Sequence, residues 1–559
     1  AIESAFDLVL RRKAITTEVA AIQRDAMLSG MYPLLETKLQ ELNELRMQLA
    51  RKTLAGPGLE GLSTHQQLLN EWGTQKERLE SELARQIPEM NLEQKLQAAD
   101  RQVIALKLPT GITLVEFIRF NVLDFATPAD WDMSHWKPAR YLAFVLPAGE
   151  PDNLQMIDLG EAEPIDRMIA TFRAAITEED ESAGERGLGA WPGAQGGAAS
   201  GGAGGGRGER EGQALRATLF DPLVKALGRR TRLLLAPDGD LTRLPFEVLP
   251  LAGGRRLIDE YQISYLGAGR DVLRWGAAVS GEASAPLVAA DPDFDLSAAQ
   301  DWDAAGGEQN AGRPVPGRRS RDLQRGLTTV ERLEGTLAEG RRIAALLGVE
   351  PWLDKRALEA RLKACRSPRI LHLATHGFFL ADQKRDLNES GRGLGALGAA
   401  GEWGRMAGPG MENPLLRSGL LLAGFNTWLA GDSLPAEAED GILTAEDVSG
   451  LDLLATELVV LSACETGLGE IHVGEGVFGL RRAFMLAGAK TLVMSLWKVP
   501  DEQTRELMED FYRRILRGEG RSEALRQAQL TMKQKYPDPY YWGAFICQGE
   551  QGPLALPAG

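Results

Sequence analysis

The chain has 559 residues, 63 basic against 78 acidic side chains, and a net charge of -15, with no dense Lys/Arg run. That balance argues against direct nucleic-acid binding, which needs concentrated positive charge. Three cysteines without a C-x-x-C spacing argue against a zinc site and for a reducing, cytoplasmic setting, and no apolar run reaches the roughly 18 residues of a membrane span.

At roughly 150 residues per domain, the length suits about three domains. The chain opens "AIESAFDLVL", without Met and already helix-like, which suggests a piece of a longer protein or a trimmed form. Residues 1–107 carry amphipathic stripes. Leu35, Leu39, Leu42, Leu45 and Leu49 form one, Leu68, Trp72, Leu79 and Leu83 another, and Leu92, Leu96, Ala99 and Val103 a third. Such spacing predicts long antiparallel helical hairpins whose stripes pack together.

Residues 108–180 read as a small α/β segment. "RYLAFVLPAGE" and "NLQMIDLG" are its strands and "EPIDRMIATFRAAI" its helix. Residues 181–213, which include "GAWPGAQGGAASGGAGGGRGEREG", are too rich in Gly, Ala and Ser to build a core and read as a flexible linker.

From 214 to 559 strands and helices alternate. "RLLLAPDGD", "YQISYLGA", "PLVAADP", "PRILHLATHGFF", "SGLLLAGF", "TELVVLSACE" and "KTLVMSLW" are strands. "TTVERLEGTLAEGRRIAALLG", "VFGLRRAFMLAGA" and "DEQTRELMEDFYRRILRG" are helices. Alternation of this kind predicts an α/β sheet with helices on both faces and chemistry at the carboxyl ends of the strands.

Two strand ends carry reactive groups, His376 in "HLATHGFF" and Cys464 in "LSACETG". A free thiol ionises near pH 8.5, so a nearby imidazole is needed to take its proton at neutral pH. Gly377 lets the backbone approach a carbonyl closely, and its N–H with that of Cys464 can form an oxyanion hole. His372 alternates with Leu371 and Leu373 inside its strand and reads as structural. His472 reads as a solvated loop residue, and Cys365 and Cys547 as structural. The glycines Gly393, Gly395 and Gly398 fit G-x-G-x-x-G, but with no strand before and no helix after they do not make a dinucleotide site.

"HLATHGFF", "NPLLRSGLLLAGFN", "DGILTAEDV", "LVVLSACETGLGE", "GEGVFGLRRAFMLAGAKTLVMSLWKVPDEQT" and "PYYWGAFICQG" together resemble the CHAT family. These are caspase- and separase-like cysteine peptidases, often found behind tetratricopeptide repeats. The resemblance runs from about residue 215 to 550 in the family's order. It implies a caspase-like sheet, with His376 as base and Cys464 as nucleophile. "SLWKVPD" is similar to a separase pattern, which makes Asp501, with Glu465, a candidate substrate pocket for a basic side chain. Lys498 departs from that pattern, and a helix cap is the other role open to Asp501. No metal or organic cofactor is implied. The expected partners are a protein substrate and a regulatory protein acting through the N-terminal helices, plausible settings being bacterial defence or programmed cell death. From the residues alone, a silent scaffold for protein interaction and a thiol acyltransferase or hydrolase stay open.

Overall fold

The computed structural model describes residues 1–15, 61–86, 99–123, 136–177, 208–276, 282–298, 327–379, 414–462, 470–472 and 476–555, with scattered positions between 35 and 52. Strands β1 (Ile112–Leu123), β2 (Trp136–Pro147) and β3 (Gln155–Glu161) form an antiparallel meander. Then come β4 (Arg232–Ala236), β5 (Gln262–Tyr265), β6 (Leu287–Pro292), β7 (Trp352–Asp354) and β8 (Ile370–Ala374). A small antiparallel sheet follows, made of β9 (Gly377–Phe379), β10 (Ser418–Leu421) and β11 (Ile442–Thr444). The last strands are β12 (Leu458–Leu461), the paired β13 (Glu470–His472) and β14 (Gly476–Phe478), β15 (Thr491–Ser495) and β16 (Phe545–Gly549).

Eleven of these strands make one sheet, in the order β3-β2-β1-β4-β5-β16-β15-β12-β8-β6-β7. The α/β class expected from the alternation is the class observed. The segment 108–180 supplies three strands of this sheet, because β1 runs parallel to β4 from Ile112↔Arg232 to Glu116↔Ala236. The strand pattern of β1 is visible in "ITLVEFIRFNVL", but it is not among the strands read from the sequence.

Topology places helices on both faces. The step from β6 to β7, through the helix Glu334–Leu347, runs one way along the sheet. The steps from β8 to β12, and from β12 to β15 through the helix Leu480–Ala487, run the other way. Parallel crossovers are almost always right-handed, so opposite steps put their helices on opposite faces. The helix Asp501–Leu516 packs beside Glu334–Leu347. Gly340 brings that second helix down onto β6: a Cβ there would lie 2.5 Å from Ala290 Cβ.

Two boundaries read from the sequence change. The helix expected over "TTVERLEGTLAEGRRIAALLG" begins only at Glu334, and the residues before it are not helical. Thr328, Thr329 and Val330 are β-branched and disfavour the helix, and the Val330 backbone is bonded elsewhere. The helix Glu209–Leu219 starts inside the stretch expected as linker, whose residues 181–207 lie outside the described ones. The glycines of the rejected G-x-G-x-x-G also lie outside them.

The N-terminal helical region divides. Leu42, Leu45, Leu79 and Leu83 form a small core of their own, with Gln75 donating to Glu41 at 3.0 Å and Lys38 paired with Glu82. These contacts are those of the expected hairpin. The helices Ile2–Arg12 and Arg101–Lys107 belong elsewhere. Their Phe6, Leu10, Ile104 and Ala105 share a core with Leu114, Phe144, Leu234 and Val272 on and beside the sheet. Lys13 is buried and donates to Glu116 on β1 at 2.6 Å, and to the carbonyls of Phe117 and Ala236.

Candidate active site

The fully buried strand β8 ends at Ala374, and the chain turns through Thr375 and His376 into β9. Two bonds fix that turn to β10. The Thr375 hydroxyl donates to the Leu421 carbonyl at 2.6 Å, and the Leu421 N–H donates to the His376 carbonyl at 2.9 Å. In an antiparallel pair hydrogen-bonded and non-hydrogen-bonded positions alternate. The next pair, Leu420↔Gly377, is therefore non-hydrogen-bonded, so the Gly377 N–H turns away from β10, toward the side of β9 on which no further strand pairs among the described residues.

The imidazole of His376 is half-buried. Its Nε2 lies 2.8 Å from the Glu331 carbonyl, and its ring packs against Phe294 with centroids 5.5 Å apart. A carbonyl only accepts, so the neutral ring carries its proton on Nε2 and its lone pair on Nδ1. Burial is the main cause that lowers its pKa below the ordinary imidazole value, with the Lys498 ammonium adding to it. The Glu331 carbonyl and the Asp501 carboxylate oppose that shift. The ring is therefore neutral near pH 7.

Strand β12 lies beside β8 in parallel, with Leu458↔Ile370 through Leu461↔Leu373 in register. His376 comes three residues after Leu373, and Cys464 three residues after Leu461. Between them Ser462 is buried, and its N–H donates to the Leu373 carbonyl at 2.9 Å. Cys464 and Glu465 lie outside the described residues, as does the His472 side chain.

Asp501 is the first residue of the helix Asp501–Leu516, whose N-cap is Pro500 with no side-chain cap. Its carboxylate does not cap that helix. It accepts the N–H of Gly335 at 3.2 Å, in the first turn of the neighbouring helix Glu334–Leu347.

His372 points into the opposite environment from the strand end. It is fully buried, with Nδ1 3.1 Å from the Tyr512 hydroxyl and Nε2 3.3 Å from Glu339 Oε1. Cys365 and Cys547 are buried too, and burial pushes their thiols up to about 11 and about 12. Neither is a thiolate at neutral pH. Among the described residues no cluster of His, Cys, Asp and Glu has the arrangement to hold a metal, and no helix is long and apolar enough to cross a membrane.

A segment that the sequence does not single out touches the site. Glu331 supplies the carbonyl on His376, and Arg332 binds Asp291 at the end of β6 and Asp354 at the end of β7. A backbone carbonyl carries no side-chain signature, so only the three-dimensional contact reveals it.

A family model described as the CHAT domain matches residues 209–550. The chain belongs to that family. The CHAT match begins with the helix Glu209–Leu219, so β1, β2 and β3 extend the sheet beyond the matched residues. Human tetratricopeptide repeat protein 28 is 33% identical over 119 residues, which cover 21% of this chain and 5% of that protein. The mouse protein of the same name is 32% identical over 120 residues, again 5% of its length. The aligned stretch thus covers about a twentieth of each of these relatives. Among solved structures, the Saccharomyces cerevisiae separase–securin complex aligns over 57% of this chain and 15% of that one, at 10% identity and a TM-score of 0.31. The Arg-specific cysteine proteinase gingipain R aligns over 62% and 67% of the two chains, at 9% identity and a TM-score of 0.31. The family assignment rests on the match over 209–550.

Proposed function

We propose that this CHAT chain is a cysteine endopeptidase, with Cys464 as nucleophile and His376 as general base. The supporting observation is the register of β8 and β12, in which His376 and Cys464 follow the paired residues Leu373 and Leu461 by the same three positions. The carboxyl ends of neighbouring parallel strands are where α/β sheets gather reactive groups, and β6 and β8 bracket the point at which the strand order reverses.

In the proposed cycle His376 Nδ1 takes the Cys464 proton, and the thiolate attacks a peptide carbonyl. The N–H groups of Gly377 and Cys464 hold the oxyanion, a contribution of roughly 100- to 1000-fold per donor. The imidazolium returns its proton to the leaving amine, and water then releases the acyl group from sulfur. A neutral imidazole at rest, with Nε2 committed to Glu331, suits the first step. Asp501 and Glu465 form the acidic side of the proposed substrate pocket. The proposed setting is cytoplasmic, with a regulatory protein acting through the N-terminal helices. The proposal of bacterial defence or programmed cell death is an analogy at the level of family.

The test is proteome-wide substrate profiling with and without cell extract, with Cys464→Ala as control, alongside labelling by a thiol-reactive peptide. Cleavage products lost in Cys464→Ala support the reading. No turnover under either condition and no selective modification of Cys464 would leave a scaffold instead.

A further inference from the structure

The carbonyl that meets His376 Nε2 lies on a segment without helix or strand, residues 327–333. Such a segment needs outside anchors to hold one oxygen in place, and three surround it. On one side Asn426 treats Val330 as a strand neighbour would. Its Oδ1 accepts the Val330 N–H at 3.0 Å, and its Nδ2 donates to the Val330 carbonyl at 2.9 Å. On the other side Arg332 binds Asp291 through a fork, Nε to Oδ1 at 3.1 Å and Nη2 to Oδ2 at 2.5 Å. Its Nη1 reaches Asp354 Oδ1 at 2.9 Å. Further on, Gly335 is tied to Asp501. Glu331 stands between the first two anchors.

The receiving carboxylates are built for this. The β6–β7 register slips between Ala290 and Pro292, leaving Asp291 as the irregular residue. Asp291 has φ of 48° and Asp354 φ of 57°, both in the left-handed region that non-glycine residues seldom enter. Irregularities of this kind re-aim side chains, often beside active sites, and sparsely populated backbone persists only where the surroundings over-determine it. The Asp291 side chain is only 4% exposed, so its charge needs the guanidinium that meets it. A lysine supplies the charge but not the fork.

We propose that Arg332 is a positioning residue for His376: clamped to Asp291 and Asp354, it holds the Glu331 carbonyl on Nε2 and so keeps the lone pair on Nδ1. The inference rests on His376 being the general base. A ring freed from that carbonyl exchanges tautomers and rotates, and a displacement of about 1 Å in a reacting group costs on the order of 100-fold in rate.

Two measurements on the full chain test it. With histidine-selective ¹⁵N labelling in a Cys464→Ala background, the nitrogen shifts of His376 report the tautomer. The Nε2–H form should dominate in the parent. Arg332→Met should bring the two tautomers to comparable populations, with Arg332→Lys in between. With Cys464 present, Arg332→Met should slow alkylation of the Cys464 sulfur by a peptide chloromethyl ketone, with loss of chloride, by about 100-fold while leaving KM for peptides unchanged. If Arg332→Met does not fold, Arg332→Lys and Asp354→Asn carry the same comparison without stripping Asp291 of its charge partner. A folded variant whose His376 tautomer matches the parent overturns the proposal. A tautomer shift in a chain that cleaves nothing would leave the positioning role standing and remove the peptidase reading. Turnover with an unmoved tautomer would do the reverse.

Discussion

The carboxylate of Asp501 accepts the backbone N–H of Gly335, so one helix start caps another across the sheet face. The contact is close: a Cβ on Gly335 would lie 2.1 Å from Asp501 Cβ. Because the cap is shared between helices, Asp501 stabilises the packing of Glu334–Leu347 against Asp501–Leu516 whatever its part in substrate binding.

Gly335→Ala should therefore destabilise the chain by about 1–3 kcal/mol, as overpacking does. Asp501→Ala should cost about 0.5–2 kcal/mol, the range for a lost cap. Denaturant titration reads both. If Asp501 also reads the substrate, Asp501→Asn, which retains a capping oxygen, should lower cleavage after basic residues; a cleavage profile rich in apolar residues and unmoved by that change would confine Asp501 to the cap.

His376 and Cys464 should fail together. Either alanine substitution should abolish peptide cleavage while the folded state survives, and the double variant should be no worse than the single ones, since groups that act as a unit do not add. Burial lowers the His376 pKa. The acid limb of kcat/KM should accordingly fall below the ordinary imidazole value of about 6.5. As pH drops through that value the unfolded chain takes up the proton first, so this group's contribution to stability is present above it and is lost toward the lower folded value. A pH–rate profile and pH-dependent unfolding measure the two effects separately.

His372 should behave differently. Its ring fills a site between the Tyr512 hydroxyl and Glu339. Truncation leaves a cavity and orphans polar groups, so His372→Ala should cost about 2–5 kcal/mol. Any activity should persist in proportion to the folded fraction. A stable but inactive His372→Ala would move the base from His376 to His372.

Glu247 offers a pH test of opposite sign. It is buried and accepts the Tyr265 hydroxyl at 2.6 Å, and burial raises its pKa to about 7. The folded state keeps a proton that the unfolded chain releases near pH 4.3, so stability falls as pH rises between those values. Glu247→Gln should flatten that fall and stabilise the chain at pH 8 by about 1–3 kcal/mol. Parallel stability curves for the two chains from pH 5 to 8 would contradict it.

The strands around the site are legible in the sequence because each is a short apolar run closed by glycine or a polar turn. "RILHLATHG" and "LVVLSACETG" each announce a buried β-strand, and the first places His376 just past the end of β8. The start of the helix before β7 is not, since Val330, Leu333, Leu337 and Ala344 keep a helical spacing that hides the break at Thr328–Val330. The anchors of Glu331 are illegible for another reason. Arg332 meets Asp291 41 positions away, and Val330 meets Asn426 96 positions away. Neither spacing has a local period. The sheet's full width is obscured because its first three strands precede the Gly-rich stretch that reads as a domain border.

The N-terminal hairpin leaves and rejoins the sheet at neighbouring points. Arg101, where the chain returns, binds Asp7 and Glu3 on the departing helix through its side chain, and its N–H donates to Asp7 at 2.9 Å. Lys13, with Glu116, closes the departing end inside the core. The intervening residues, with their own small leucine core, thus have the topology of an inserted module whose two ends are stapled together. A splice between residues 15 and 99 could exchange that module for another domain with closely spaced termini while keeping Phe6, Leu10 and Lys13 under the sheet, which makes this junction a port for building sensors.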